Sequence, residues 1–360
     1  MHKNNFDFLR LIFALFVIVT HSITLSGSAS LDPMQLLTAK QFTLSDLGLA
    51  GFFTISGYLV FESLKRSKSL TDYYIKRIVR IYPGLIVALI VTIIAGGIVS
   101  DLSLNEYFSN VAPYKYFFLK LSMFFRPNEL QRVFMHNPFP NEANGSLWTI
   151  PYEFLFYVLL SLLFFIRNKM MAIIFIVTFV YLLAIVTFYG KGDIIPGYLY
   201  YYIKMPFRFF QYDVFFSFGF YFCAGVILAN FKGWLNQYKG WVALLSLSLS
   251  GFFVLMNYFI IASHFVLPFF IISIGLMQTR IINDLGSKIG DFSYGIYIYG
   301  FLIQQILMDY YQLNYFQLLV ITIPISFISG YISWNFIEKP FLQFKLKQAP
   351  NLLMKHKCNN

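Results

Sequence analysis

The chain has 360 residues, 58% of them hydrophobic and only 12% charged, with a mean hydropathy of +0.65, which excludes a water-soluble globule with a polar skin. The net charge of +11 does not point to nucleic acid, because Lys and Arg fall in short segments between apolar runs, where they orient a polytopic protein in a lipid bilayer. Cys223 and Cys358 are too few and too far apart for a zinc site or a disulfide framework, and no metal is expected.

About ten apolar stretches read as membrane helices: 7–26, 46–64, 81–100, 147–166, 170–189, 212–230, 241–259, 262–279, 292–310 and 316–337. The expected fold is therefore an all-α membrane domain over residues 1–341 with a short basic tail, 342–360. Placing both termini in the cytoplasm puts most of the basic residues inside, among them Lys65, Arg66, Lys76, Arg77 and Arg80 after the second helix and Lys345, Lys347, Lys355 and Lys357 in the tail. Ser28-Ala29-Ser30 resembles a signal-peptide cleavage site, but Asp7 and Arg10 inside the preceding apolar run argue that the first helix is retained.

In that first helix His21 follows Arg10 by eleven residues, roughly three turns plus 20°, so both leave one face about 16.5 Å apart. Ala14 and Val17 lie between them, and a slim stripe flanked by polar heads predicts a channel for something long and thin. Taken singly, Arg10 reads as a snorkelling cation and His21 as an interfacial residue. In the second helix Gly48, Gly51, Ser56 and Gly57 read as a close-packing face. Arg77 and Arg80, three apart, point the same way and suit the forked recognition of phosphate. The loop 101–146, with Arg126, Arg132 and His136, leads into a helix that carries Glu153 in its first turns, which predicts the depth of His21 for Glu153. A carboxylate beside a histidine holds its tautomer and makes it a usable general base. Lys204 and Arg208 sit in a Tyr-rich loop, 198–212, that suits sugar rings or interfacial anchoring; His264 reads as an interfacial or packing residue, and Pro340 is placed to stop the last helix.

These elements, taken together, resemble acyltransferase family 3, integral membrane proteins that acylate bacterial surface polysaccharides. The resemblance runs over nearly the whole chain. It rests on Arg10 and His21, on Gly51-Phe52-Phe53-Thr54-Ile55-Ser56-Gly57-Tyr58, on Arg77-Ile78-Val79-Arg80-Ile81-Tyr82-Pro83, on Ser146-Leu147-Trp148-Thr149-Ile150-Pro151-Tyr152-Glu153, on Ser293-Tyr294-Gly295-Ile296-Tyr297 and on Phe336-Ile337-Glu338-Lys339-Pro340. It implies catalysis at His21, a required Arg10, an essential carboxylate at Glu153, and contacts from Arg77, Arg80 and Arg10 to the phosphates of acyl-CoA. Acetyl-CoA is the first expectation for the donor. A lipid-linked or nascent glycan, such as lipopolysaccharide O-antigen or exopolysaccharide, is the expected acceptor, and the bacterial inner membrane the expected location. Some members carry a histidine near the position of Tyr299, where this chain reads Tyr299-Gly300-Phe301. Larger members append an extracytoplasmic hydrolase-like domain; without one, this chain is expected to deliver the acyl group unaided.

The expected mechanism has the pantetheine arm following the Arg10–His21 face, while His21, oriented by Glu153, takes the proton of a sugar hydroxyl. Direct attack and a covalent acyl intermediate both stay open. A glycan polymerase or flippase-like protein is the main rival, but it calls for larger Arg-rich outer loops than ones holding Arg126, Arg132 and Arg208. A transporter would show repeats, and a scaffold would not need polar groups at matched depth. Nothing in the sequence decides between a monomer and a homo-oligomer.

Overall fold

The computed structural model describes residues 4–123, 129–189, 211–279, 282–283 and 290–343. Arg126, the Tyr-rich stretch with Lys204 and Arg208, and the tail from 344 onward lie outside the described residues. Those described are helical, joined by turns and by two isolated bridges, Ser100 with Val133 and Glu129 with Glu142.

Helix α1 (Phe6–Leu25) has no side-chain cap; Asn5 instead donates its backbone N–H to the Gly275 carbonyl at 2.8 Å. A short α2 (Pro33–Leu37) is capped by Asp32, which also accepts from Thr20 at 2.6 Å. Capping starts α3 (Leu44–Arg66) at Thr43 and α4 (Leu70–Val99) at Ser69. Helix α4 begins eleven residues before the expected 81, so Arg77 and Arg80 stand on the membrane helix itself. Next come α5 (Leu104–Ser109), α6 (Ala112–Leu121) and, after a 3-10 turn over Gly145–Thr149, α7 (Ile150–Ser161). The chain continues through α8 (Met170–Tyr189), α9 (Tyr212–Asn230), α10 (Lys232–Leu255), α11 (Phe259–Leu276), α12 (Ser293–Tyr311) and α13 (Tyr315–Ser333).

Among the described residues seven helices are long and apolar enough to cross a membrane: α1, α3, α4, α9, α10, α11 and the last, which runs on to Gln343. Pro340 does not stop that last helix. A π-turn over Trp334–Glu338 precedes it, and this local widening accommodates a residue that has no N–H and crowds the carbonyl four positions back. Helix α7 has only 12 residues, and α12 keeps Gln304 and Gln305 fully buried inside the bundle.

Helix α3 is central, packed against α1, α9 and α11. Gly57 and Gly225 make its contact with α9 possible: a Cβ on Gly57 would overlap the Phe222 carbonyl, and one on Gly225 the Thr54 carbonyl. The segment 129–149 is only partly a surface loop: Gln131, Arg132, Met135 and His136 are exposed, whereas Ala143, Asn144, Gly145, Ser146 and Leu147 are buried. Asn144 donates to the Ile298 carbonyl at 2.9 Å, and Gln305 donates to the carbonyls of Phe139 at 3.0 Å and Glu142 at 2.7 Å. Polar side chains thereby satisfy irregular backbone that re-enters the bundle.

Candidate active site

A cavity of about 550 Å³ opens between α1, α3, α4, α7 and α12, with five cations at one end: Arg10, Arg66, Lys76, Arg77 and Arg80. Four of them are ion-paired. Arg80 reaches Asp291 at 2.7 Å and Glu338 at 3.3 Å, and Arg10 reaches the same Asp291 oxygen at 3.4 Å. Arg66 pairs with Glu62 at 3.5 Å and Lys76 with Asp72 at 2.6 Å. Ser293 donates to Asp291 at 2.8 Å and Ser333 to Glu338 at 3.1 Å, so both carboxylates are held on two sides. Arg77 differs. Its Nη2 donates to Ser63 at 3.2 Å, its guanidinium lies near the Tyr73 and Tyr157 rings at 6.0 and 5.7 Å, and its Nε is buried without a partner. Among the described residues no carboxylate pairs with it.

Deeper in the cavity, Glu153 accepts from Ser56 at 3.0 Å and from Tyr157, one turn away on the same face of α7, while Ser56 and Tyr157 lie 2.9 Å apart. At the inner end Thr149 and Tyr297 share a hydrogen bond of 2.6 Å, and the Tyr297 ring meets Phe52 edge-on at 5.5 Å.

His21 does not line this cavity. Its ring stands edge-on to Phe301 at 5.1 Å, and its Nδ1 is buried without a partner. The face between Arg10 and His21 is closed: Ala14 is 0% exposed and Val17 3%, with Val17 against Gly48 of α3. Their small size draws α3 in rather than leaving a channel, which corrects the expected path of the pantetheine arm. The expected depth of Glu153 is corrected as well. Gly145 faces Phe301 and Thr149 faces Tyr297, so Glu153, one turn further along α7, lies about two turns, roughly 11 Å, from the level of His21. Re-entry of segment 129–149 starts α7 inside the bundle, and Glu153 pairs with Ser56 and Tyr157 instead of His21.

The acyltransferase domain family matches residues 3–336 of the chain. The chain belongs to this family. It is a membrane acyltransferase. It is 30% identical, over 95% of its own length and 97% of the other's, to an O-acetyl transferase of Shigella phage Sf6. It is also 29% identical to Nodulation protein 10 of Rhizobium leguminosarum bv. viciae, over 45% of this chain and 44% of that protein. No solved structure matches it.

In this acyltransferase the cavity brings together Arg10, Arg77, Arg80 and Glu153 and leaves His21 beyond its inner end. Sequence reasoning missed Asp291, Ser56 and Tyr157 as partners in the site. Glu338 carried a usable signal, because a carboxylate within an apolar helix demands a cation. Ser56 read as packing, and only the fold shows its hydroxyl turned to Glu153.

Proposed function

We propose that the protein moves an acetyl group from acetyl-CoA to a sugar hydroxyl of a cell-surface polysaccharide, with both termini and the cationic end of the cavity on the cytoplasmic side of a bacterial inner membrane. The observation that carries the donor side is Arg77: a cavity-lining guanidinium that among the described residues has no carboxylate, together with Arg10, which among them has one long ion pair, is suited to phosphate oxygens. Arg80, already held by Asp291 and Glu338, shapes the wall. The name of the phage relative, O-acetyl transferase, supports acetyl as the group and oxygen as the acceptor atom. The re-entrant segment and His21, at the opposite end from the cations, suit a glycan arriving from outside.

In the reaction His21 takes the proton of the sugar hydroxyl as its oxygen attacks the thioester carbonyl carbon. The C–O bond forms, the C–S bond breaks, and the thiolate of CoA leaves and takes the proton from the His21 imidazolium, which restores the base. Glu153 acts on the donor side, through Ser56 and Tyr157.

Mass spectrometry of the surface polysaccharide tests this, comparing cells with the intact protein, cells lacking it and cells with His21→Ala at matched membrane levels. An acetyl increment per sugar present only with the intact protein is the expected result. Identical substituents on chains of different length would replace the reading with a polymerase.

A further inference from the structure

On the reading just given, the donor enters at the Arg77 end, and its acyl carbon must come within about 3–3.5 Å of a hydroxyl held at His21. In the structure the cavity stops short of that point. Its inner end is formed by Leu49, Phe52, Thr149 and Tyr297, and Phe301, one turn beyond Tyr297 on the same face of α12, meets the His21 ring edge-on at 5.1 Å.

These rings are fixed from several sides. Tyr297 is hydrogen-bonded to Thr149 at 2.6 Å and packed edge-on against Phe52 at 5.5 Å. Thr149 ends the 3-10 turn that begins at Gly145, and Asn144, just before it, is bonded to the Ile298 carbonyl on α12. Phe301 is pressed onto Gly145, where an added Cβ would stand 2.6 Å from its ring. Phe52 in turn meets Phe13 of α1 edge-on at 6.1 Å. A wall of rings held in this way yields to a small group more readily than to a long one.

We infer that Phe52, Tyr297 and Phe301 are the residues that determine acyl-group size: they form a wall that a two-carbon acyl group crosses to reach His21 and that longer chains do not. The inference rests on the acyl-CoA reading above. Apolar walls discriminate by bulk, and a single methylene changes relative rates by about 10–200-fold, so two extra methylenes suffice for strong rejection. The phenol oxygen of Tyr297 faces Thr149, so the size limit belongs to the ring rather than to the hydroxyl.

The test uses membrane vesicles carrying the full-length protein and the host's own glycan, supplied separately with acetyl-CoA, propionyl-CoA or butyryl-CoA, with each transferred group counted by mass spectrometry. The wild type is expected to favour acetyl over butyryl by about a hundredfold or more in kcat/KM for the donor. Phe52→Ala and Tyr297→Ala are each expected to reduce that preference about tenfold or more by raising butyryl transfer. Tyr297→Phe, which keeps the ring, is expected to stay within about threefold of the wild-type preference. Should an alanine variant fail to accumulate, Phe52→Leu and Tyr297→Leu give the same ratio with less lost volume. An unchanged ratio in variants that still transfer acetyl overturns the inference, as does a wild type that accepts butyryl as readily as acetyl. Wild-type vesicles that transfer no acyl group from any of the three donors overturn the donor reading, and the inference falls with it.

Discussion

Arg80 Nη1 lies 3.3 Å from Glu338 Oε2, which ties the early part of α4 to the π-turn of the last helix. With Asp291 on its other side, Arg80 is a structural cation, whereas Arg77, one turn earlier, has no carboxylate among the described residues. The two arginines should therefore fail differently. Arg80→Ala leaves Glu338, 1% exposed, without its cation and is expected to cost about 3–5 kcal/mol of stability. Arg77→Ala should leave the thermal unfolding of detergent-solubilised protein nearly unchanged and weaken CoA binding by about 1.5–3 kcal/mol, roughly tenfold to a hundredfold in Kd. Equal losses of stability would abolish the distinction.

Asp291 precedes α12, outside the spanning segments. Burial pushes its carboxyl up, but the guanidinia of Arg80 and Arg10 outweigh burial and hold it below the ordinary carboxylate range. A carboxyl near about 3.9 when unfolded and lower when folded adds stability that is fully present above the unfolded value and lost as the pH falls through the folded one. Its contribution is thus flat between about pH 5 and 8 and declines only below about pH 4. Asp291→Asn should unfold at a lower temperature than the wild type at neutral pH, and the two should converge in acid. A constant gap down to about pH 3 would show that the residue acts through packing alone.

Much of this was legible in the sequence, and the misses share a cause. Helices such as α1 and α12 showed as apolar runs, and Gly57 showed as a packing residue because little else explains glycine in such a run. The charges of Arg10 and Arg80 were visible, but Asp291 is 281 residues from the first and 211 from the second, and no local pattern joins them. The depth of Glu153 was misjudged because segment 129–149 has the composition of an exposed loop. Its backbone is satisfied by Asn144 and by Gln305 of α12, a pairing that no periodicity reveals.

The α3–α9 contact can be tested by adding one carbon. Gly57→Ala places a Cβ against the Phe222 carbonyl, and backbone cannot turn aside as a side chain can, so a loss of about 1–3 kcal/mol is expected. Gly233→Ala on α10 meets nothing within 4 Å and should be neutral or slightly stabilising, by up to about 1 kcal/mol. Thermal unfolding of the two variants in the same detergent separates them; equal stability would mean that the two helices are free to move apart.

Glu153 gives the sharpest test of the site's layout. Hydrogen-bonded to Ser56 and Tyr157 and about two turns from His21, it lines the cavity proposed for the donor, which His21 does not line. Glu153→Gln and Tyr157→Phe should therefore raise the KM for the acyl donor. The acid limb of the pH–rate profile, which reports protonation of the base, should stay in place. A carboxylate that oriented His21 would behave otherwise: its loss would move that limb to lower pH by about one unit, because the imidazolium would lose a stabilising charge. Donor titrations across a pH series in both variants measure the two effects together. A moved limb with an unchanged KM would restore the Glu153–His21 pair; a fixed limb with a raised KM places Glu153 on the donor.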